Sequence, residues 1–459
     1  MPVDTVISGG RIVNPTSVVE ASVAIDGESI VAVGAEEAMP EAERVVDASG
    51  KLVMPGAVDP HVHVDDEPAP RIATYEAETA AAALGGVTTF IDFAWQGGST
   101  RTDESLSLVG GIDEKRAEAE NAYVDYGLHG VVNWEDPRVF DEFEDAIARG
   151  VTSFKMFMST YSVGVSNGFI HRVINELADH DAVAVLHTED ASICEHMNQQ
   201  FKEEGKGEPE WYPKSRPDYA EAMAAEDAIR MALEAGTKYY GVHTTNRKAA
   251  EVIHHFREDG SRIRAETCTH YVALDDSVHE RMGNLPLIAP PIRKPDDNEA
   301  MMEYLRRGSL DAVGTDHVAY PRESKEGVPW WDAPFGANSV QVSLAVFHDE
   351  AVNERGFSYP FLVRVMSTNA ARTFGMPQKG TVEPGTDADL VVFDPNERYT
   401  ITAEDNASNA DYSMYEGREV TGRVKKTFVR GTLVADDGEI VADPGVGSFV
   451  EREIPDWSV

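Results

Sequence analysis

Cysteine is nearly absent from this chain, and basic residues are few. The two cysteines, Cys194 and Cys268, form no CxxC pair. Neither a disulfide framework nor a thiolate metal site is implied, and a reducing cytoplasm is the default compartment. Lys plus Arg number 40 against 80 Asp plus Glu, a net charge of −40. Phosphate-rich partners would be repelled, which excludes nucleic acid and anionic membrane surfaces. No apolar run reaches the roughly 18 residues of a transmembrane helix. The opening MPVDTVISGG lacks a basic segment ahead of an apolar stretch, so no secretory signal is expected. No GxGxxG opens a helix, and short-period repeats and low-complexity tracts are missing. So large an acidic excess repels itself unless salt screens it, over roughly 3 Å at molar strength. Lysine is also scarcer than arginine. The balance reads as adaptation to a salt-rich cytoplasm, as in halophiles.

What is present is a long chain with a large apolar fraction. With 459 residues, 42% of them hydrophobic, it can bury the core of a large α/β barrel and a second module. Both ends read as short strands broken by Gly and Pro: TVISGGRIVNP, ASVAIDGESIVAVG and RVVDASGKLVMPG early, DADLVVFDP and KKTFVRGTLVADDGEIV late. Residues 1–54 and 376–459 are expected to form one composite β-sandwich, with a barrel over 55–375. The middle carries apolar runs at 53–63, 88–94, 124–132, 152–158, 182–188, 238–244, 262–268 and 310–316. Helical segments separate most of them. In RVFDEFEDAIARG, Phe140, Phe143 and Ile147 fall at helical spacing and Gly150 ends the run. In NRKAAEVIHHFREDG, Asn246 is the expected N-cap and Gly260 the stop. Eight strands alternating with helices predict a (β/α)8 TIM barrel.

Catalytic side chains of such a barrel project from the C-terminal ends of its strands. The first run ends in His61-Val62-His63, and a period of two puts both imidazoles on one side. The fourth carries Lys155, the fifth ends at His187, the sixth at His243 and the eighth at Asp316. Taken singly, each has an ordinary structural explanation. Together they require five unrelated coincidences at one barrel end. His270 and His317 lie near strand ends and are weaker candidates, for supporting a ligand. His129 is mid-strand, and His254 and His255 lie on a helix.

Imidazole and carboxylate without thiolate suit Zn2+, and also Mn2+, Co2+ or Ni2+. Four histidines and one aspartate exceed the needs of one open site and suffice for two metals if an anionic group bridges them. The stretch TSFKMFM puts Lys155 in an apolar run, where an unpaired lysine is rare. An ammonium has no lone pair to give. Desolvation lowers its pKa and exposes the amine. Carbon dioxide can add to that neutral amine, giving an anionic carbamate with two oxygens, which can hold two metals roughly 3.5–4 Å apart.

PGAVDPHVHVD, SFKMFM, AVLHTED, GVHTT, AETCTHY, APPIR, VGTDH and KGTVEPGTDADLVVFDP resemble the dihydropyrimidinase/hydantoinase branch of the amidohydrolase superfamily, over nearly the whole chain. The resemblance implies a binuclear metal centre in a barrel, a composite sandwich and a homotetramer or homodimer. It also implies that His61, His63 and Asp316 hold one metal, that His187 and His243 hold the other, and that carbamylated Lys155 bridges them. Related dihydroorotases usually carry HxHxR and allantoinases Asn at the same place. Here that place is Asp65, as in hydantoinases, which disfavours a carboxylated ring. The family's oxyanion-supporting tyrosine usually lies five residues after the lysine. That position is Thr160 here, so a one-residue shift would give the role to Tyr161. Ala289 and Phe335 stand where the family usually has Ser and Asn, two positions that contact the ring mostly through main-chain atoms. Phe157 is expected to wall the pocket. The implied activity is ring opening of a hydantoin or dihydropyrimidine to an N-carbamoyl amino acid by a metal-bridging hydroxide, with Asp316 as the proton carrier. Allantoin, another cyclic amide or imide, and a non-catalytic scaffold role are the alternatives.

Overall fold

The computed structural model describes residues 2–64, 70–98, 106–159, 163–259 and 262–458. Asp65 and Tyr161 lie outside the described residues. Eight parallel strands run in sequence order around the middle of the chain. They are β1 (Ala57–Asp59), β2 (Val87–Trp95), β3 (Asp125–Val131), β4 (Ser153–Phe157), β5 (Val183–His187), β6 (Lys238–Gly241), β7 (Ile263–Cys268) and β8 (Ala312–Gly314). Every residue of β2, β3, β4 and β5 is buried. That is why these strands read as unbroken apolar runs: helices cover one face and the barrel interior fills the other.

The covering helices follow the expected patterns. Asn167–Asp179 buries Phe169, Ile170, Val173, Ile174 and Leu177 at helical spacing, and Ser166 Oγ accepts the Phe169 amide at its start. Asn246 Oδ1 accepts the Ala249 amide at 3.0 Å, capping Arg247–Asp259 as its sequence predicts. The segment around Phe140 differs. It divides into a 3-10 turn, Pro137–Asp141, and a short helix, Phe143–Ala148, because Pro137 starts a turn of its own capped by Asp136.

β1 and β8 do not pair over their own lengths. The barrel closes just beyond them, where Val62–His63 lies parallel to His317–Val318 in the register His317↔Val62 and Val318↔His63. Asp59 fastens this seam. Its carboxylate accepts the His61 amide at 3.1 Å, the Thr315 amide at 3.2 Å and the Thr315 hydroxyl at 2.6 Å.

The chain ends meet in the sandwich. One sheet holds four N-terminal strands, ordered Ser29–Gly34, Ser22–Asp26, Val3–Ser8 and Ala42–Asp47. The other has seven strands drawn from both ends, joined where Leu390–Phe393 runs antiparallel to Leu52–Pro55. Ile7, Val23, Ile25, Val53, Leu390 and Phe428 share one apolar cluster of this module. The run 53–63, expected as one barrel strand, is therefore divided. Residues up to Pro55 belong to the sandwich, and the break falls at Gly56. A Cβ there would lie 2.0 Å from Thr88 Oγ1, so only glycine passes this crossing. Among the described residues no helix is long and apolar enough to cross a membrane.

Buried charge ties the modules together. Lys379 Nζ donates to Asp389 at 2.6 Å, Asp125 at 2.7 Å and Asp387 at 3.0 Å. Arg430 also pairs with Asp125, which begins β3. After Val446 the tail crosses the barrel floor. Ser448 O accepts the Tyr126 amide, and the buried Arg452 donates to Ser153 Oγ at 2.9 Å and to Leu128 O. Lys379→Met should strand the buried Asp389 charge, since Asp125 keeps Arg430, and cost about 3–5 kcal/mol of stability. Denaturant titration in constant salt measures it.

Candidate metal centre and catalytic cavity

The closed seam sets the first group of side chains. His61 Nε2 lies 3.2 Å and His63 Nε2 3.3 Å from the same oxygen, Asp316 Oδ1. His61, His243 and Asp316 form the tightest set, with ligand atoms all within 4.8 Å of one another. His243 and Asp316 each sit two residues past their strand and have positive φ, 38° and 47°. Non-glycine residues hold such angles only when their surroundings force them, a condition common at functional sites. His187 ends β5, and its Nδ1 is 2.9 Å from His243 Nε2.

Two buried carboxylates decide which way these rings face. Glu266, on β7, accepts from His61 Nδ1 at 2.7 Å and from the Tyr240 hydroxyl at 2.8 Å. With Nδ1 donating to Glu266, His61 turns Nε2 toward Asp316; burial opposes its charge, but Asp316 and Glu266 outweigh burial and raise its imidazolium, so a metal there would displace the Nε2 proton. Glu189 accepts from His187 Nε2 at 2.8 Å and pairs with Arg216. That leaves His187 Nδ1 facing His243. Burial pushes the His63 imidazolium down to about 3 and lowers those of His187 and His243 as well. Neutral rings with free lone pairs are the state a metal requires. Asp316 is held well below the usual carboxylate range: His61, His63 and His243 together outweigh the burial that opposes its charge.

Lys155 is completely buried in β4, and its Nζ has no hydrogen-bond partner among the described residues. It lies 4.9 Å from the Phe157 ring centroid and 5.2 Å from that of Phe93. Desolvation brings its ammonium down to about 7. A buried lysine with no ion pair among the described residues, near four imidazoles and a carboxylate, supplies the amine for a carbamate that would complete the donor set.

These side chains open into a cavity of about 330 Å³. His61, His63, Lys155, His187, His243 and Asp316 all line it, as do Phe157, Ala289 and Phe335. Phe157 stacks on Trp95, with centroids 5.5 Å apart, to form an apolar wall. Arg71, Glu195, Asn198 and Arg216 add polar groups. The remaining histidines stay outside. His129 is held by Ser153 and Pro60 beneath the site. His317 is held by Glu78 and the Ser339 amide. His270 is buried and pushed down to about 4 without lining the cavity.

Glu266, Glu189, Asn198 and Arg216 escaped the sequence reading. The first left a signal: an acid within the apolar strand RIRAETC is as anomalous as the lysine in TSFKMFM. The other three sit in loops or helices whose polar residues carry no such contrast.

Residues 52–434 match the model of the amidohydrolase family. The chain is 32% identical to the L-hydantoinase of Paenarthrobacter aurescens over 458 residues, covering 98% of each protein. It is 31% identical to the allantoinase of Salmonella choleraesuis (strain SC-B67), covering 98% of this chain and 99% of that one. Among solved structures, the dihydropyrimidinase from Brevibacillus agri superposes with a TM-score of 0.94 at 30% identity, over 98% of this chain and 99% of that one. Glu266→Gln should weaken retention of divalent metal by about 10- to 100-fold while the fold is kept. Metal content after dialysis against a graded chelator series, beside a circular dichroism spectrum, checks it.

Proposed function

The chain belongs to the amidohydrolase family, and on that premise we propose that it opens hydantoin or dihydropyrimidine rings to N-carbamoyl amino acids. It is a cyclic amidohydrolase of the hydantoinase, dihydropyrimidinase and allantoinase type. The observation that carries the finer reading is the buried Lys155 amine, without a hydrogen-bond partner among the described residues, set among His61, His63, His187, His243 and Asp316.

In this reading His61, His63 and Asp316 would hold one divalent ion and His187 and His243 the other, with a carbamate on Lys155 completing the donor set. Zinc fits the nitrogen and oxygen donors best, with Mn2+, Co2+ and Ni2+ as alternatives. When bound, such ions supply a nucleophilic hydroxide near neutral pH and polarise the scissile carbonyl. The chain's own residues do the rest. Asp316 Oδ1, between His61 and His63, takes the proton released on attack and delivers it to the leaving ring nitrogen. Phe157 and Trp95 exclude water from one side of the ring. Ala289 and Phe335 contact it from the other, chiefly through main-chain atoms. Tyr161 supports the developing oxyanion, and Asp65 disfavours carboxylated rings. The charge of −40 supports a salt-rich working environment. An oligomer, tetramer or dimer, belongs to the same reading. Val18 and Val19 support it by standing exposed on the edge strand Ser17–Glu20 of the seven-stranded sheet.

One observation favours allantoin as a second substrate. Asn198 Oδ1 is buried without a partner among the described residues and belongs to the cavity wall. It offers an acceptor to the N–H groups of a ureido substituent, which a purely apolar pocket would not.

Assaying dihydrouracil, substituted hydantoins, allantoin and dihydroorotate side by side tests the assignment. Ring opening of a hydantoin or dihydrouracil is expected, dihydroorotate should be inert, and turnover of none would overturn it. Lys155→Ala should lose bound metal and activity together, by several orders of magnitude in kcat. Short carboxylates such as acetate or propionate should restore part of both. Full activity in that variant would sink the carbamate reading.

A further inference from the structure

Lys325 is also completely buried, and among the described residues no carboxylate pairs with it. Its Nζ donates instead to three main-chain carbonyls: Leu287 at 2.9 Å, Leu285 at 3.1 Å and Gly336. The rings of Tyr320 and Tyr412 lie 5.6 Å and 6.0 Å from the same nitrogen. An ammonium has three donors on one compact centre, so it can satisfy three converging oxygens. The result is a carbonyl cradle of the kind that holds a monovalent cation, filled by the chain's own side chain.

The cradle joins two segments that face the catalytic cavity. Ile288 and Ala289 line the cavity from one, Phe335 and Gly336 from the other. Gly336 N donates to Leu287 O at 2.9 Å across the same junction. Tyr212 reinforces it, with its hydroxyl on Ile288 O at 2.8 Å and its ring stacked on Phe335 at 4.8 Å. Gly336 has φ of 133°, and a Cβ there would lie 2.8 Å from Val318 Cγ2. Its peptide has little room to move except with the cradle.

We propose that Lys325 is a positioning residue that sets substrate affinity by clamping the two cavity walls 285–289 and 335–336 through their carbonyl oxygens. The proposal rests on the reading of this cavity as the ring-binding site. Lys325 touches neither ring nor metal ligand, so its loss acts on binding and leaves the metal centre in place. Because the cradle is built of carbonyls, a small cation from solution can stand in for the ammonium.

The test uses metal-loaded Lys325→Ala with the best substrate of the wild-type enzyme, at ionic strength held constant with tetramethylammonium chloride. KM should rise by about tenfold or more, with kcat within about threefold and metal content unchanged. Methylammonium or potassium should lower KM again, while tetramethylammonium, too large for the cradle, should not. Tyr212→Phe removes one bond to the same wall without disturbing the cradle, and should raise KM by about fivefold. It carries the test if Lys325→Ala does not fold. Unshifted KM in the variants, loss of metal in place of affinity, or no response of Lys325→Ala to either small cation would overturn the proposal. A wild-type enzyme inert toward every ring would overturn the functional reading instead. In that case the melting midpoint of Lys325→Ala decides for the cradle if methylammonium raises it, and against it if not.

Discussion

The seam between the first and last barrel strands is the contact on which the site depends. β1 and β8 do not pair, so the barrel closes through Val62–His63 and His317–Val318, with Asp59 tying Thr315 to His61 at this seam. The residues that close the barrel adjoin those that would bind metal. His61 and His63 meet Asp316 because Val62, between them, pairs with His317, the residue after Asp316, across one seam. A slip of one residue would turn the imidazoles away. Burial of Asp59 raises its carboxyl to about 7, and the cost of its charge is offset by three hydrogen-bond donors. Closure and chemistry therefore rest on the same few hydrogen bonds.

Buried cations are treated in three ways. Lys379 receives three carboxylates and locks the sandwich to the barrel. Lys325 receives three carbonyls and fixes two walls of the cavity. Lys155 Nζ receives no hydrogen-bond partner among the described residues. In a protein with twice as many acids as bases, leaving one buried lysine unpaired is a costly exception. The exception lies in the same cavity as the imidazoles and the carboxylate that could hold metal. Beside it, carboxylates set the orientation of His61 and His187 and the seam that of His63, so most of the donors are held in place before any ligand arrives.

Much of this was legible in the sequence. Parallel strands buried on both faces leave uninterrupted apolar runs, so the eight barrel strands could be counted. Polar residues at the ends of such runs stand out against them, so His61, His63, Lys155, His187, His243 and Asp316 could be named and placed at one mouth. Short strands punctuated by Gly and Pro at both termini marked a sandwich shared by the chain ends. What only the tertiary structure decided depends on pairs far apart in the chain. Glu266 chooses the tautomer of His61 across 205 residues, and Lys379 meets Asp125 across 254. Gly56 separates two strands because Thr88 occupies the space beside it. Lys325 finds carbonyls 38 and 40 residues away that have no side-chain signature at all. Periodicity reports which face of a strand or helix is buried, because burial repeats with the local geometry. It is silent about which buried groups face one another, since that follows from how the strands are wound into a closed barrel.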